Sequence, residues 1–249
     1  MKSDDRERQI DAAGPGIHTL FFDIDDTLFD RDRAQREVVG LIIQAFSDIF
    51  SNVKPNTIVD AFLESDRIAI SEFNAGASGD VARIGRSGRF LQLLGLCEDY
   101  APSITTYYQY TYPRINAAVR HAIPVMSHLA RKFQLGVISN GLPDVQYQKL
   151  ETLGIKHLFN CIILSEEIGI RKPASRIFWK ATTLSNRLPE NCLYIGDTYS
   201  SDVIGAKNAG MKACWYNPRG ECVQQREVEP DFEIRSLDEL LTVLGQQGI

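Results

Sequence analysis

Apolar and polar positions along this chain follow two different periods. Thr19 to Phe22 is a short β-branched and aromatic run without polar alternation, the pattern of a strand buried on both faces of a parallel sheet. Leu135-Gly136-Val137-Ile138, Cys161-Ile162-Ile163-Leu164, Leu193-Tyr194-Ile195 and Lys212 to Tyr216 repeat it. Between these runs the period lengthens to that of a helix. Val125, Met126, Leu129 and Phe133 after Pro124 mark one helix, and residues 144–153, with Gly154 at the C-cap, mark another. Ile177, Phe178, Ala181 and Leu184 mark a third, and residues 201–209, closing on Gly210, a fourth. Ser236 with Glu239 three residues later is a capping box that opens a last helix through Leu240, Leu241 and Leu244. Strands alternating with helices at this spacing imply right-handed crossovers. The predicted fold is α/β, with a doubly wound, mainly parallel, Rossmann-like sheet.

Residues 31–118 interrupt that alternation. Val38, Leu41, Ile42, Ala45, Phe46 and Ile49 fall at spacings of three and four, and a second helix starts near Pro55 and runs through Ile68. Small residues from Asn74 to Gly79 precede Arg83, Arg86 and Arg89, and a tyrosine-rich helix covers Ile104 to Tyr112. No convincing strand lies in this stretch. The pattern predicts an inserted helical cap domain at 31–118, a core built from 17–30 and 119–249, and a loose polar tail at 1–16.

Composition narrows the class. The chain has 249 residues, 44% hydrophobic and 24% charged, which excludes wholesale disorder. A net charge of −5 with no dense Lys/Arg run argues against a nucleic-acid polymer or an anionic membrane as partner. No apolar run approaches the ~20 residues of a membrane span, and residues 1–16 lack the apolar core of a signal peptide. Cys97, Cys161, Cys192, Cys214 and Cys222 are odd in number and scattered, as in a reducing compartment. A cytoplasmic location is expected; the oligomeric state leaves no mark on the sequence.

In doubly wound sheets the functional crevice lies beyond the C-terminal ends of the strands. Asp23 and Asp25 sit there, two residues apart, so both can face the same space. Adjacent carboxylates repel and call for a hard divalent cation, Mg²⁺ above all. Thr27, Ser139, Asn140, Lys172, Asp197 and Asp202 also fall at or just after predicted strand ends. Each has an ordinary reading as turn residue, helix cap or surface lysine. Together they predict a site for a small phosphorylated metabolite. The metal would be held by Asp23, Asp197 and the backbone oxygen of Asp25, with Asp202 anchoring. Lys172, Ser139, Asn140 and Thr27 would hold phosphoryl oxygens, Asp23 would be the nucleophile, and Asp25 the general acid and then base.

Asp23-Ile24-Asp25-Asp26-Thr27-Leu28, Ser139-Asn140-Gly141, Lys172-Pro173 and Gly196-Asp197-Thr198 with Ser201-Asp202 resemble the four motifs of the haloacid dehalogenase-like hydrolase superfamily. The resemblance spans about 17–245 and implies that 31–118 is a mobile cap. Asp25, where true haloacid dehalogenases lack an aspartate, implies the phosphatase branch. Leu164-Ser165-Glu166-Glu167-Ile168-Gly169, Asn208-Ala209-Gly210-Met211 with Cys214-Trp215, and Ser87-Gly88-Arg89-Phe90 resemble bacterial pyrimidine 5'-nucleotidases. The implied substrate is a pyrimidine nucleoside 5'-monophosphate. A sugar or triose phosphate is the alternative; a phosphomutase and a non-catalytic phosphometabolite-binding protein follow. Arg86 and Arg89 are candidate specificity contacts in the cap, with a solvated surface position as the other reading. Tyr107, Tyr108 and Tyr110 either stack on a base or pack the cap.

Overall fold

All four side chains of Thr19–Phe22 are buried, and the segment forms β1 at the centre of the sheet. The structure, a computed structural model, describes residues 16–245. The expected tail at 1–16 lies almost wholly outside them. Among the described residues the sheet has six strands in the order β3-β2-β1-β4-β5-β6. They are β1, β2 (Gln134–Ser139), β3 (Cys161–Leu164), β4 (Cys192–Gly196), β5 (Lys212–Tyr216) and β6 (Phe232–Ile234), every pairing parallel. Phe22 lies opposite both Val137 and Ile195, so β1 is flanked by strands that follow it through crossovers in opposite directions. Such a reversal point is where a crevice opens.

The five strands read from the sequence are present, and β6 is an addition. At three residues, between Asp231 and Arg235, it is too short to show a period. It is nonetheless tied in, with Asp231 N donating to Ala213 O at 2.9 Å and Asn217 N to Ile234 O at 2.7 Å. The core on one side of the sheet packs Phe21, Ile138, Ile163, Phe178, Tyr194 and Trp215. Each large side chain so removed from water contributes about 1.5–3 kcal/mol. The Pro143–Thr152 helix ends as expected, with Gly154 in the left-handed region at φ +69°.

Two compact units are present, one of them Arg31–Ala117 and the other formed by the chain on either side of it. The helices of Arg31–Ala117 are Arg31–Ala45, Ser47–Phe50, Pro55–Asn74, Gly79–Leu93 and Ala101–Thr111. The small residues before Gly79 form the turn between two of these, closed by Ser78, whose hydroxyl accepts from Val81 N at 3.3 Å. Inside this unit Phe62 packs on Phe90 and Tyr108 at 5.4 and 5.3 Å, and Tyr108 stacks on Tyr112 at 4.8 Å. Tyr107 packs on Phe46, and Tyr110 is exposed beneath Arg114. Two of the three tyrosines are therefore packing residues.

In the sheet-bearing unit the chain leaves and re-enters side by side. Phe29 bridges Ala118, and Val119 N donates to Leu28 O at 3.0 Å. Among the described residues no helix is long and apolar enough to cross a membrane, and no cysteine is in a disulfide.

Candidate active site

β1 runs one residue beyond its ladder, with Asp23 N donating to Ile195 O at 2.9 Å, and then turns sharply. Leu28 N and Phe29 N both return to Ile24 O at 2.8 Å, with Asp26 in the left-handed region at φ +56°. This turn carries Asp23, Asp25 and Thr27 on consecutive alternate positions at the strand end. β4 ends beside it, and a single π-helical turn, Tyr199–Val203, follows and leads into the regular helix Ile204–Asn208 that the sequence predicts. Such turns recur at functional sites because the wider turn re-aims a side chain. Here it brings Asp202 back under Thr198, whose backbone N–H it accepts at 3.0 Å.

Carboxylate oxygens of Asp23, Asp197 and Asp202 come within 4.8 Å of one another. Lys172 lies among them, only 6% exposed, its Nζ 2.8 Å from Asp23 Oδ1 and 2.8 Å from Asp202 Oδ1. It also donates to the Tyr194 hydroxyl at 2.8 Å, which donates in turn to Ile138 O at 2.8 Å. Burial alone would lower the Lys172 pKa, but Asp202 and Asp23 hold it above the usual lysine range. Burial raises the Asp23 carboxyl to about 7, with Asp202 and Asp25 adding to the rise and Lys172 opposing it. Burial and then the charges of Asp23 and Asp202 raise Asp197 to about 8. One ammonium does not neutralise three converging carboxylates.

The remaining predicted residues surround this centre. The Thr27 hydroxyl faces Asp197 Oδ1 at 3.5 Å. Ser139 Oγ, at the end of β2, accepts from Gly141 N at 3.3 Å and from Gln146 Nε2 at 3.1 Å. Asn140 uses both ends of its amide on the Lys172 main chain, accepting from Lys172 N at 2.9 Å and donating to Lys172 O at 3.1 Å. Its side chain therefore anchors Lys172, where the sequence reading expects a phosphate donor. Asp25 turns toward the Pro143–Thr152 helix, its Oδ1 2.5 Å from Lys149 Nζ and its Oδ2 accepting from Gln146 Nε2 at 2.6 Å.

Arg86 and Arg89 lie in the helical unit. Arg86 is not solvated. It is 7% exposed, pairs with Asp66 at 3.2 Å, and stands over the Tyr108 ring at 3.6 Å. Asp66 also pairs with Arg31 and accepts from Gln35. Arg89 pairs with Glu72 at 2.7 Å.

Three residues that build the site were not singled out from the sequence: Gln146, Lys149 and Tyr194. Gln146 and Lys149 lie three apart on one helix, beside the buried Leu150, and are themselves buried. A polar pair on the inward face of a helix carries no hydropathy signal. Tyr194 reads as one more aromatic of a buried strand. Beside Asp197 a cavity of about 720 Å³ opens, lined among others by Asp26, Arg120, Tyr199, Tyr216, Asn217 and Arg219.

The donor set, carboxylate oxygens with pKa values raised by burial and mutual repulsion, suits a hard divalent cation. Around it are a buried ammonium and a hydroxyl at strand ends, an arrangement able to receive a dianion and stabilise its redistribution of charge.

A family profile described as haloacid dehalogenase-like hydrolase matches residues 20–216. The glyceraldehyde 3-phosphate phosphatase of Methanothermobacter thermautotrophicus is 27% identical, covering 90% of this chain and 96% of its own. The pyrimidine 5'-nucleotidase PynA of Streptococcus pneumoniae is 26% identical, covering 91% and 94%. Among solved structures, the putative hydrolase YfnB of Bacillus subtilis, bound to magnesium, superposes with a TM-score of 0.79 at 25% identity, covering 92% of this chain and 99% of that one.

Proposed function

The chain belongs to the haloacid dehalogenase-like hydrolase family, as an enzyme of its phosphatase type, and on that premise we propose that it hydrolyses a small phosphate monoester through an aspartyl phosphate formed on Asp23. The observation that carries this reading is the single ammonium of Lys172 set 2.8 Å from both Asp23 and Asp202, with Asp197 alongside, at the C-terminal ends of β1 and β4.

Mg²⁺ would be held by Asp23, Asp197 and the backbone oxygen of Asp25, with Asp202 anchoring, and when bound it supplies charge neutralisation for the incoming dianion. The magnesium bound by YfnB supports that choice of ion. Lys172 holds phosphoryl oxygens as a point charge, and Ser139 and Thr27 offer hydroxyls to the same group. An Asp23 oxygen attacks phosphorus and the ester P–O bond breaks, the leaving oxygen taking a proton from Asp25. Water then attacks phosphorus and gives its proton to Asp25, releasing inorganic phosphate and restoring the Asp23 carboxylate. Tyr194 and Asn140 keep Lys172 in place through both steps.

The favoured substrate is a pyrimidine nucleoside 5'-monophosphate, supported by the similarity to PynA along 91% of the chain. A triose phosphate is the second reading, supported by the likeness to the archaeal phosphatase along 90%. Choice among esters falls to the helical unit, where Arg86 and Arg89 are the candidate contacts. The deciding experiment is phosphate release with Mg²⁺ across nucleoside monophosphates, sugar phosphates and triose phosphates, with Asp23→Asn alongside. Loss of release in the mutant supports the mechanism and the preferred ester selects between the readings; equal release by parent and mutant removes Asp23 as nucleophile.

A further inference from the structure

Lys149 is 2% exposed, and a lysine so deeply buried without a task would be strongly disfavoured. Its ammonium meets Asp25 Oδ1 at 2.5 Å and stands over the Phe29 ring at 4.6 Å. Three residues earlier on the same helix, Gln146 is 1% exposed and gives its amide N–H to Asp25 Oδ2 at 2.6 Å and to Ser139 Oγ at 3.1 Å. Residues three apart share a helix face, so one rigid element grips both oxygens of Asp25. Gly141 makes room for this grip, because a Cβ there would collide with the Gln146 side chain. Asp25 itself sits in the turn that follows β1, bridged to Phe29.

We propose that Lys149 and Gln146 are positioning residues for the proton-transfer step: together they hold the Asp25 carboxyl in the orientation from which it serves the leaving-group oxygen, and Gln146 ties that orientation to the phosphate-side hydroxyl of Ser139. The inference rests on the proposed role of Asp25 as general acid. Each carboxyl oxygen has two acceptor directions, so the contacts with the helix do not use up the hydrogen-bonding capacity of Asp25. The helix after β2 thereby sets the distance between the group that holds the phosphate and the group that protonates what leaves.

The test uses leaving groups of different need. An alkyl phosphate requires a proton on its departing oxygen, whereas p-nitrophenyl phosphate departs without one. Lys149→Met and Gln146→Met keep most of the buried volume and remove the grip. The measurement is kcat and KM for both esters with Mg²⁺, in the parent, Asp25→Asn and the two variants, with a thermal unfolding curve for each. The expected result is a kcat/KM on the alkyl phosphate, which reports only the step that expels the leaving group, lowered about 10- to 100-fold in Lys149→Met, at or below the ~10²-fold lower end for full general acid–base catalysis, with kcat/KM on p-nitrophenyl phosphate changed less than about 3-fold. Gln146→Met should follow the same pattern more weakly, and Lys149→Arg should restore part of the loss. Equal losses of kcat/KM on both esters, or none, in folded Lys149→Met and Gln146→Met while Asp25→Asn shows the leaving-group dependence in kcat/KM would overturn the positioning role alone. If Asp25→Asn shows no such dependence, Asp25 is not the acid, and the function reading and this inference fall together. Should Lys149→Met not fold, Gln146→Met decides by the same criterion.

Discussion

A Cβ placed on Gly196 would fall on the carboxylate of Asp202. The last residue of β4 therefore has to be glycine for the π-helical turn to bring Asp202 against Thr198 N and Lys172. Gly196→Ala should displace Asp202 and lower stability by about 1–3 kcal/mol, the usual range for overpacking. Phosphate release should fall at least tenfold. Urea unfolding and a phosphate assay on the same preparation check this; an alanine variant with parental stability and activity would mean that Asp202 has slack the geometry does not show.

Asp23 and Asp197 give the metal-free protein an inverted pH profile. Their folded-state pKa values, about 7 and about 8, lie above the ordinary carboxylate value of 3.8, so the folded state binds more protons than the unfolded one between those limits. Their contribution to stability is then fully present at low pH and is lost as pH rises through 7 to 8. With chelator present, the thermal midpoint should fall from pH 5.5 to 8.5, by an amount on the order of a few kcal/mol in stability. Millimolar Mg²⁺ should flatten the slope by taking the place of the protons. A midpoint that rises across that interval in chelator would contradict the crowding of these carboxylates.

Lys172 is the one ammonium placed between Asp23 and Asp202 in the described residues. Lys172→Met leaves two buried carboxylates facing each other. The expected loss is about 3–5 kcal/mol at pH 8, as for a broken buried pair, and less at pH 5.5, where Asp23 already carries a proton. Activity should be abolished at both. A pH-independent loss of stability would indicate packing rather than charge as the role of the lysine.

Arg86 separates a structural role from a specificity role within the helical unit. Its pairing with Asp66 and its place over Tyr108 predict that Arg86→Met lowers stability by about 2–4 kcal/mol. A variant as stable as the parent but with a raised KM for the preferred ester would instead make Arg86 a substrate contact.

Positions that follow strand ends were legible in the sequence. Asp23, Asp25 and Asp197 could be located because a buried parallel strand has an unmistakable apolar run and they follow its C-terminal end, whereas Lys172 comes only after the short helix Ser165–Ile168 and Asp202 within the turn Tyr199–Val203. The insert was legible because helical period replaces strand pattern between Arg31 and Ala117. β6 was not, since three residues cannot establish a period. Nor were Lys149 and Gln146, because hydropathy assigns polar side chains to solvent and only the fold shows that their face of the helix turns inward. The solvated reading of Arg86 failed for the same reason: its partner Asp66 lies on another helix, and ion pairing across helices has no spacing rule in one dimension.

Phe29 and Ala118 are bridged, and Leu28 O receives Val119 N, so the sheet-bearing unit closes its own hydrogen bonds across the gap where 87 intervening residues from Arg31 to Ala117 are spliced in. Evolution can then treat that junction as a socket. Insertions of different size and character can be exchanged there without disturbing strand order or moving Asp23 relative to Asp197. On the proposed division of roles, catalytic machinery and substrate choice would be separately heritable, each carried by its own part of the gene.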